Sequence, residues 1–176
     1  MGTRASLQSR IEDALLALVG LPIWDACRAL NMEMFDIGDR VEVVNRRQET
    51  VEVGTYRLHV QAPWRIVGPK GIVVGSVDSH YPPGGREDDE SFNPNNDRSS
   101  CEERVRAWLD KHRRRPLVIR SVAADEWGGL RLVLTGGYAL EVVPASSRPD
   151  CEHWRLIGPG AEEPPHVVVV GRKVQR

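Results

Sequence analysis

The chain has 176 residues, 40% of them apolar, and its 24 Lys and Arg nearly balance 25 Asp and Glu for a net charge of -1. That length suits one domain or two small intimate halves with a sizeable core, and the charge balance excludes bulk attraction to nucleic acid or an anionic membrane. No apolar run approaches a membrane span, the N-terminus does not read as a signal peptide, and three scattered cysteines, Cys27, Cys101 and Cys151, fit reduced thiols in a cytoplasmic protein.

Residues 6–19 predict an amphipathic helix, with Leu7, Ile11, Leu15 and Leu18 at helical spacing and Gly20 as its stop. Pro22 predicts the start of a short second helix through Trp24, Cys27 and Leu30, ended by Asn31. Strands are predicted over 32–37, 41–44 and 50–53, with the polar run Asn45 to Glu49 as a turn or hairpin tip.

A phrase that the chain repeats comes next. The first copy runs Gly54-Thr55-Tyr56-Arg57-Leu58-His59-Val60, then Trp64-Arg65-Ile66-Val67-Gly68-Pro69, closing on Val73-Val74-Gly75. The second runs Gly136-Gly137-Tyr138-Ala139-Leu140-Glu141-Val142, then Trp154-Arg155-Leu156-Ile157-Gly158-Pro159, closing on Val169-Val170-Gly171. Matching blocks in one order point to a duplicated β unit. Strand alternation puts Tyr56, Leu58 and Val60 on one face, and Tyr138, Leu140 and Val142 on the matching face. Those positions agree between copies and read as core. Arg57, His59 and Gln61 stand against Ala139, Glu141 and Val143, so any specific function is expected where the copies differ.

Residues 76–100 change character, with Pro82-Pro83-Gly84-Gly85, the acidic run Glu87 to Glu90 and Asn93-Pro94-Asn95-Asn96 predicting a linker loop with mobile parts. A capping box, Ser100-x-x-Glu103, opens a helix whose Cys101, Val105, Trp108, Leu109 and His112 share a face. Its basic end, Lys111 to Arg115 before Pro116, reads as helix termination. A strand over 117–122 follows, then alternating Leu130, Leu132 and Leu134, a glycine turn and the strand from Tyr138. Pro144 to Asp150 lengthens the next loop. The apolar run His166 to Val170 predicts a strand inside the sheet rather than at its edge.

The expected fold is α+β and predominantly antiparallel. Two pseudo-symmetric helix-plus-β-meander halves, residues 1–75 and 101–176 joined by 76–100, would share one core in a single compact domain.

Phosphate loops, nucleophile elbows, dinucleotide fingerprints and zinc-protease motifs are absent from the sequence. Cys151-x-His153 with His166 is the nearest approach to a metal cluster, too sparse for zinc, so neither cofactor nor metal is expected. The candidate binding residues are Asp36, Arg57, His59, Gln61 and Arg65. A histidine beside carboxylates on one sheet face suits acid–base work, and Asp78 and His80 could join it. The Trp-Arg pairs, Arg65 and Arg155, read as surface arginines over a ring or a neighbouring loop.

At Gly20-Leu21-Pro22-Ile23-Trp24, at Leu58 to Ile66 and at His153-Trp154-Arg155-Leu156, the chain resembles a family of small uncharacterised bacterial proteins. That resemblance brings no activity with it, although some small β-rich bacterial proteins of this look neutralise toxins as immunity proteins. The functional expectation is a non-catalytic protein-binding module of the immunity or regulatory type, with the acidic loop meeting a basic partner. The alternative is a small-molecule binder or enzyme with a polar cavity near His59 and Arg65.

Overall fold

A computed structural model of the chain describes residues 6–45, 47–85, 91–95, 97–158 and 166–175. Strand Pro22–Ala29 (β1) leads into Met32–Val44 (β2), Thr50–Val60 (β3), Trp64–Gly68 (β4) and Gly71–Gly75 (β5). After a second helix come Leu117–Ala124 (β6), Leu130–Leu134 (β7), Ala139–Val142 (β8), Glu152–Ile157 (β9), His166–Val170 (β10) and Lys173–Gln175 (β11). Among the described residues all pairings are antiparallel, in one 11-stranded sheet of order β11-β10-β9-β3-β2-β1-β6-β7-β8-β4-β5.

The helices are Leu7–Leu15 (α1) and Ser100–His112 (α2). Ser6 caps α1, its Oγ accepting from Ser9 N–H at 3.1 Å, and the left-handed Gly20 (φ 89°) turns the chain into the sheet. α1 packs on β6 and β11, and α2 on β1 and β5. Ile11, Leu15 and Leu18 from one end, and Cys101, Val105 and Trp108 from the other, join Phe35, Leu58, Trp64, Leu132, Leu140 and Trp154 in one core. The antiparallel α+β class is therefore as the sequence predicts.

The helix predicted from Pro22 to Asn31 is instead β1. A bulge between Ile23 and Asp25 inserts a residue, so Ile23 and Ala26 both turn inward while Cys27 faces solvent. That bulge gives a strand the apolar spacing of a helix. The cap of α2 also differs by one residue. Glu102 accepts from Ser99 N–H at 2.6 Å and from Ser99 Oγ at 2.9 Å, while Glu103 accepts from Gly84 N–H at 2.9 Å. Ser99-x-x-Glu102 and Ser100-x-x-Glu103 both satisfy the capping pattern, and the sequence does not choose between them.

Two hairpins cross over between the halves. β4 and β5, from the first half, extend the second through β4–β8, where Trp64 faces Val142 and Ile66 faces Leu140. β9 and β10, from the second half, extend the first through β9–β3, where Trp154 faces Val60 and Leu156 faces Leu58. The closing Val-Val-Gly blocks do not occupy matching places. Gly75 pairs with Arg65 within the edge strand β5, whereas Gly171 (φ 52°) lies in the turn after β10. β10 lies between β9 and the short β11, so it is paired on both sides.

Between 76 and 100 the described residues form turns at Ser76–His80 and Pro83–Gly85. Arg28 Nη1 donates to the Pro94 carbonyl at 2.9 Å, tying the later part of this segment to β1. The acidic run Glu87 to Glu90 lies outside the described residues. No helix among the described residues is long and apolar enough to cross a membrane.

Candidate functional site

Asp36 and Arg57 face each other across β2 and β3, with Arg57 Nε 2.8 Å from Asp36 Oδ1. The Nε–H is not aligned for a hydrogen bond, and Nη2 reaches Oδ2 only at 3.5 Å, so the contact is chiefly an ion pair. Asp36 is buried, and its Oδ1 also accepts from Gly54 N–H at 2.7 Å. Burial raises its carboxyl above the ordinary range, against the lowering effect of the Gly54 amide and the Arg57 guanidinium. This arrangement locks the place where β2 bulges, after Ile37.

His59 lies next along β3, between Met34 and Arg155. Its Nε2 is buried with no hydrogen-bond partner among the described residues. Burial, aided by Arg57 and Arg155, holds the ring down to about 4, so it is neutral at physiological pH. Gln61 Nε2 donates to Glu152 Oε1 at 2.9 Å, and Arg155 Nε donates to the same oxygen at 2.6 Å. Arg65 is on the other wing, its Nε donating to Glu141 Oε2 at 2.6 Å, and Arg131 binds the other Glu141 oxygen. Asp36, Arg57 and His59 thus form one cluster, while Gln61 and Arg65 do not join it. Asp78 accepts from Gly75 N–H at 2.8 Å and His80 lines a separate cavity, so neither extends the cluster.

No family model, curated protein or solved structure matches the chain.

The β2–β3 hairpin continues past its bulge as a two-stranded ribbon. Val41 pairs with Val53 and Val43 with Val51, so strand alternation gathers these valines on one side. Val41 and Val43 remain 42% and 38% exposed. β1 pairs with β2 no further than Ile37, and β9 pairs with β3 only over 57–60, so among the described residues both outer edges of the ribbon lack a strand partner. The tip is ordered by Asn45, whose Oδ1 accepts from Arg47 N–H at 2.8 Å and from Glu49 N–H at 3.0 Å. Arg40, ion-paired to Glu52, stacks on the Trp24 ring at 4.1 Å and holds the base. The β7–β8 connection is the turn Thr135–Gly137.

A cavity of about 310 Å³ opens where the Leu30–Asn31 turn, the end of β3, α2 and residues 76–80 meet. Glu33 lines it, 4% exposed, with no hydrogen bond or ion pair to its carboxylate among the described residues. Burial, reinforced by Glu102 and opposed by Arg28, raises Glu33 to about 7. Cys101 shares the cavity, and burial pushes its thiol up to about 12. No group of three His, Cys, Asp or Glu among the described residues is placed to hold a metal ion. Glu33 has a sequence signal, being the acid in an otherwise apolar alternation with Phe35 and Ile37.

Proposed function

We infer that the chain is a non-catalytic, cytoplasmic protein-binding module of the immunity or regulatory type. In this reading it is built from two copies of one helix-plus-meander unit about a pseudo-two-fold axis between β1 and β6. Matching registers support the duplication. Phe35 faces Leu58 as Leu132 faces Leu140, and the bulge at Ile23/Asp25 has its counterpart at Ile119/Ser121. The unpaired Cys27, Cys101 and Cys151 accord with a reducing compartment.

The observation that carries the binding function is the ribbon, present in one half and reduced to a tight turn in the other. An isolated two-stranded ribbon is marginal in water. One with an apolar side and free backbone edges is suited to a partner that adds an extended segment and covers the valines. Arg57 is engaged with Asp36 at the ribbon's base, and His59 is buried further along β3.

The test is affinity capture of tagged protein, with wild type, Val43→Lys and Arg65→Gln compared in the native host. One stoichiometric partner should be retained by wild type and Arg65→Gln and lost with Val43→Lys, while circular dichroism stays unchanged. Equal retention by Val43→Lys overturns the assignment of the ribbon. Recovery of only a second copy of this chain would make the ribbon a homodimer contact instead.

A further inference from the structure

We propose that the Glu33 cavity is a binding site for a small organic ammonium compound whose apolar body lies against Trp64. The site exists because the halves differ at the places that close it. Glu33 faces Val60 from β2, whereas the residue facing Val142 from β7 is Leu130, buried in the core. Around Trp154 the space is filled, since the longer Asp125–Gly129 connection brings the Gly128 carbonyl to Trp154 Nε1 at 2.7 Å. Around Trp64 the short Leu30–Asn31 turn leaves the space open.

The chemistry of the walls selects the ligand. The Glu33 carboxylate has no protein donor among the described residues and opens into the cavity, so its acceptor capacity is available to a ligand. Arg28, the nearest cation, is already committed to the Pro94 and Asp97 carbonyls and to Glu102, so an anionic ligand finds no free partner there. The groups facing Glu33 are Arg28 from β1, Glu102 and the protonated Cys101 from α2, and His80 from the 76–80 turn, where Asp78 is turned to the Gly75 amide and acts on Cys101. Glu102 opposes a second negative charge more strongly than Arg28 supports it, and a bound cation would relieve that repulsion. Trp64, Ala62 and Pro63 supply an apolar wall, and exposed Leu30 and Val77 form the rim. The volume suits a ligand of this kind.

The experiment uses three probes that share an aromatic body, namely phenethylammonium, 2-phenylethanol and 3-phenylpropionate. They are titrated calorimetrically into the full chain from pH 5.5 to 9. Phenethylammonium should bind best. Its affinity should be flat above pH 7 and fall about tenfold per pH unit below it, as Glu33 takes up its proton. 3-Phenylpropionate should not bind. Glu33→Leu, which copies the Leu130 arrangement, should lose at least tenfold in affinity. In wild type the Trp64 indole resonance should move with phenethylammonium and not with 3-phenylpropionate, a readout independent of any variant's folding. Absence of phenethylammonium binding at millimolar concentration overturns the proposal. So does an affinity indifferent to pH and to Glu33→Leu, or a preference for 3-phenylpropionate.

Discussion

At the scale of single residues, Glu33 and His59 pull the pH dependence of stability in opposite directions. His59 titrates at about 4 in the fold against an ordinary 6.5, so the unfolded chain holds more protons between those values. Its contribution to stability is therefore lost as pH falls from 6.5 towards 4. Glu33 titrates at about 7 against an ordinary 4.5, so the folded chain holds the extra proton and stability is lost as pH rises from 4.5 to 7. Between pH 4.5 and 6.5 the two slopes oppose each other. Glu33→Leu should raise stability at pH 7 and expose the His59 slope, steepening the loss below pH 6.5 by up to about 1.4 kcal/mol per pH unit. Denaturation midpoints against pH, for wild type and variant, check this. Asp36 and His153 also have shifted ionisations, but both remain in each protein and drop out of the difference. A parallel pair of profiles would mean that Glu33 does not titrate in this window.

At the scale of elements, the inward apolar positions of the paired strands carry the core. Leu140 is 1% exposed, and Leu140→Ala should cost about 2–5 kcal/mol in chemical denaturation. The ribbon should behave otherwise. Replacing residues 41–52 by Asn-Gly should change the unfolding free energy by about 1 kcal/mol or less in chemical denaturation, because the anchoring Asp36 and Gly54 contact remains. The strands over 32–37, 41–44 and 50–53, the hairpin tip and both long helices were legible from period and turn chemistry alone. β1 was not, because a bulge gave a strand the apolar spacing of a helix. Of the predicted site residues, Asp36, Arg57 and His59 do come together, since neighbours on paired strands follow from register. Gln61 and Arg65 could not be placed beforehand. Which strand receives a hairpin's outer edge depends on tertiary pairing that no local pattern encodes.

At the scale of the whole molecule, the crossed hairpins make each half depend on the other. β3 is completed by β9, and β8 by β4. Residues 1–85 and 91–176, produced separately, should each lack cooperative unfolding, and mixing them should restore near-native circular dichroism. A cooperative transition from either fragment alone would show that its own edge suffices. The same crossing governs what happens as the chain is made. A ribosome delivers residues in order, so β4 and β5 emerge long before the strand that will receive them. β3, once paired with β2, keeps a bare flank until β9 and β10 are released near residue 170. The nascent chain therefore carries two unsatisfied sheet edges through most of its own translation, and whatever shields nascent edges in the cell has its longest task on the N-terminal half.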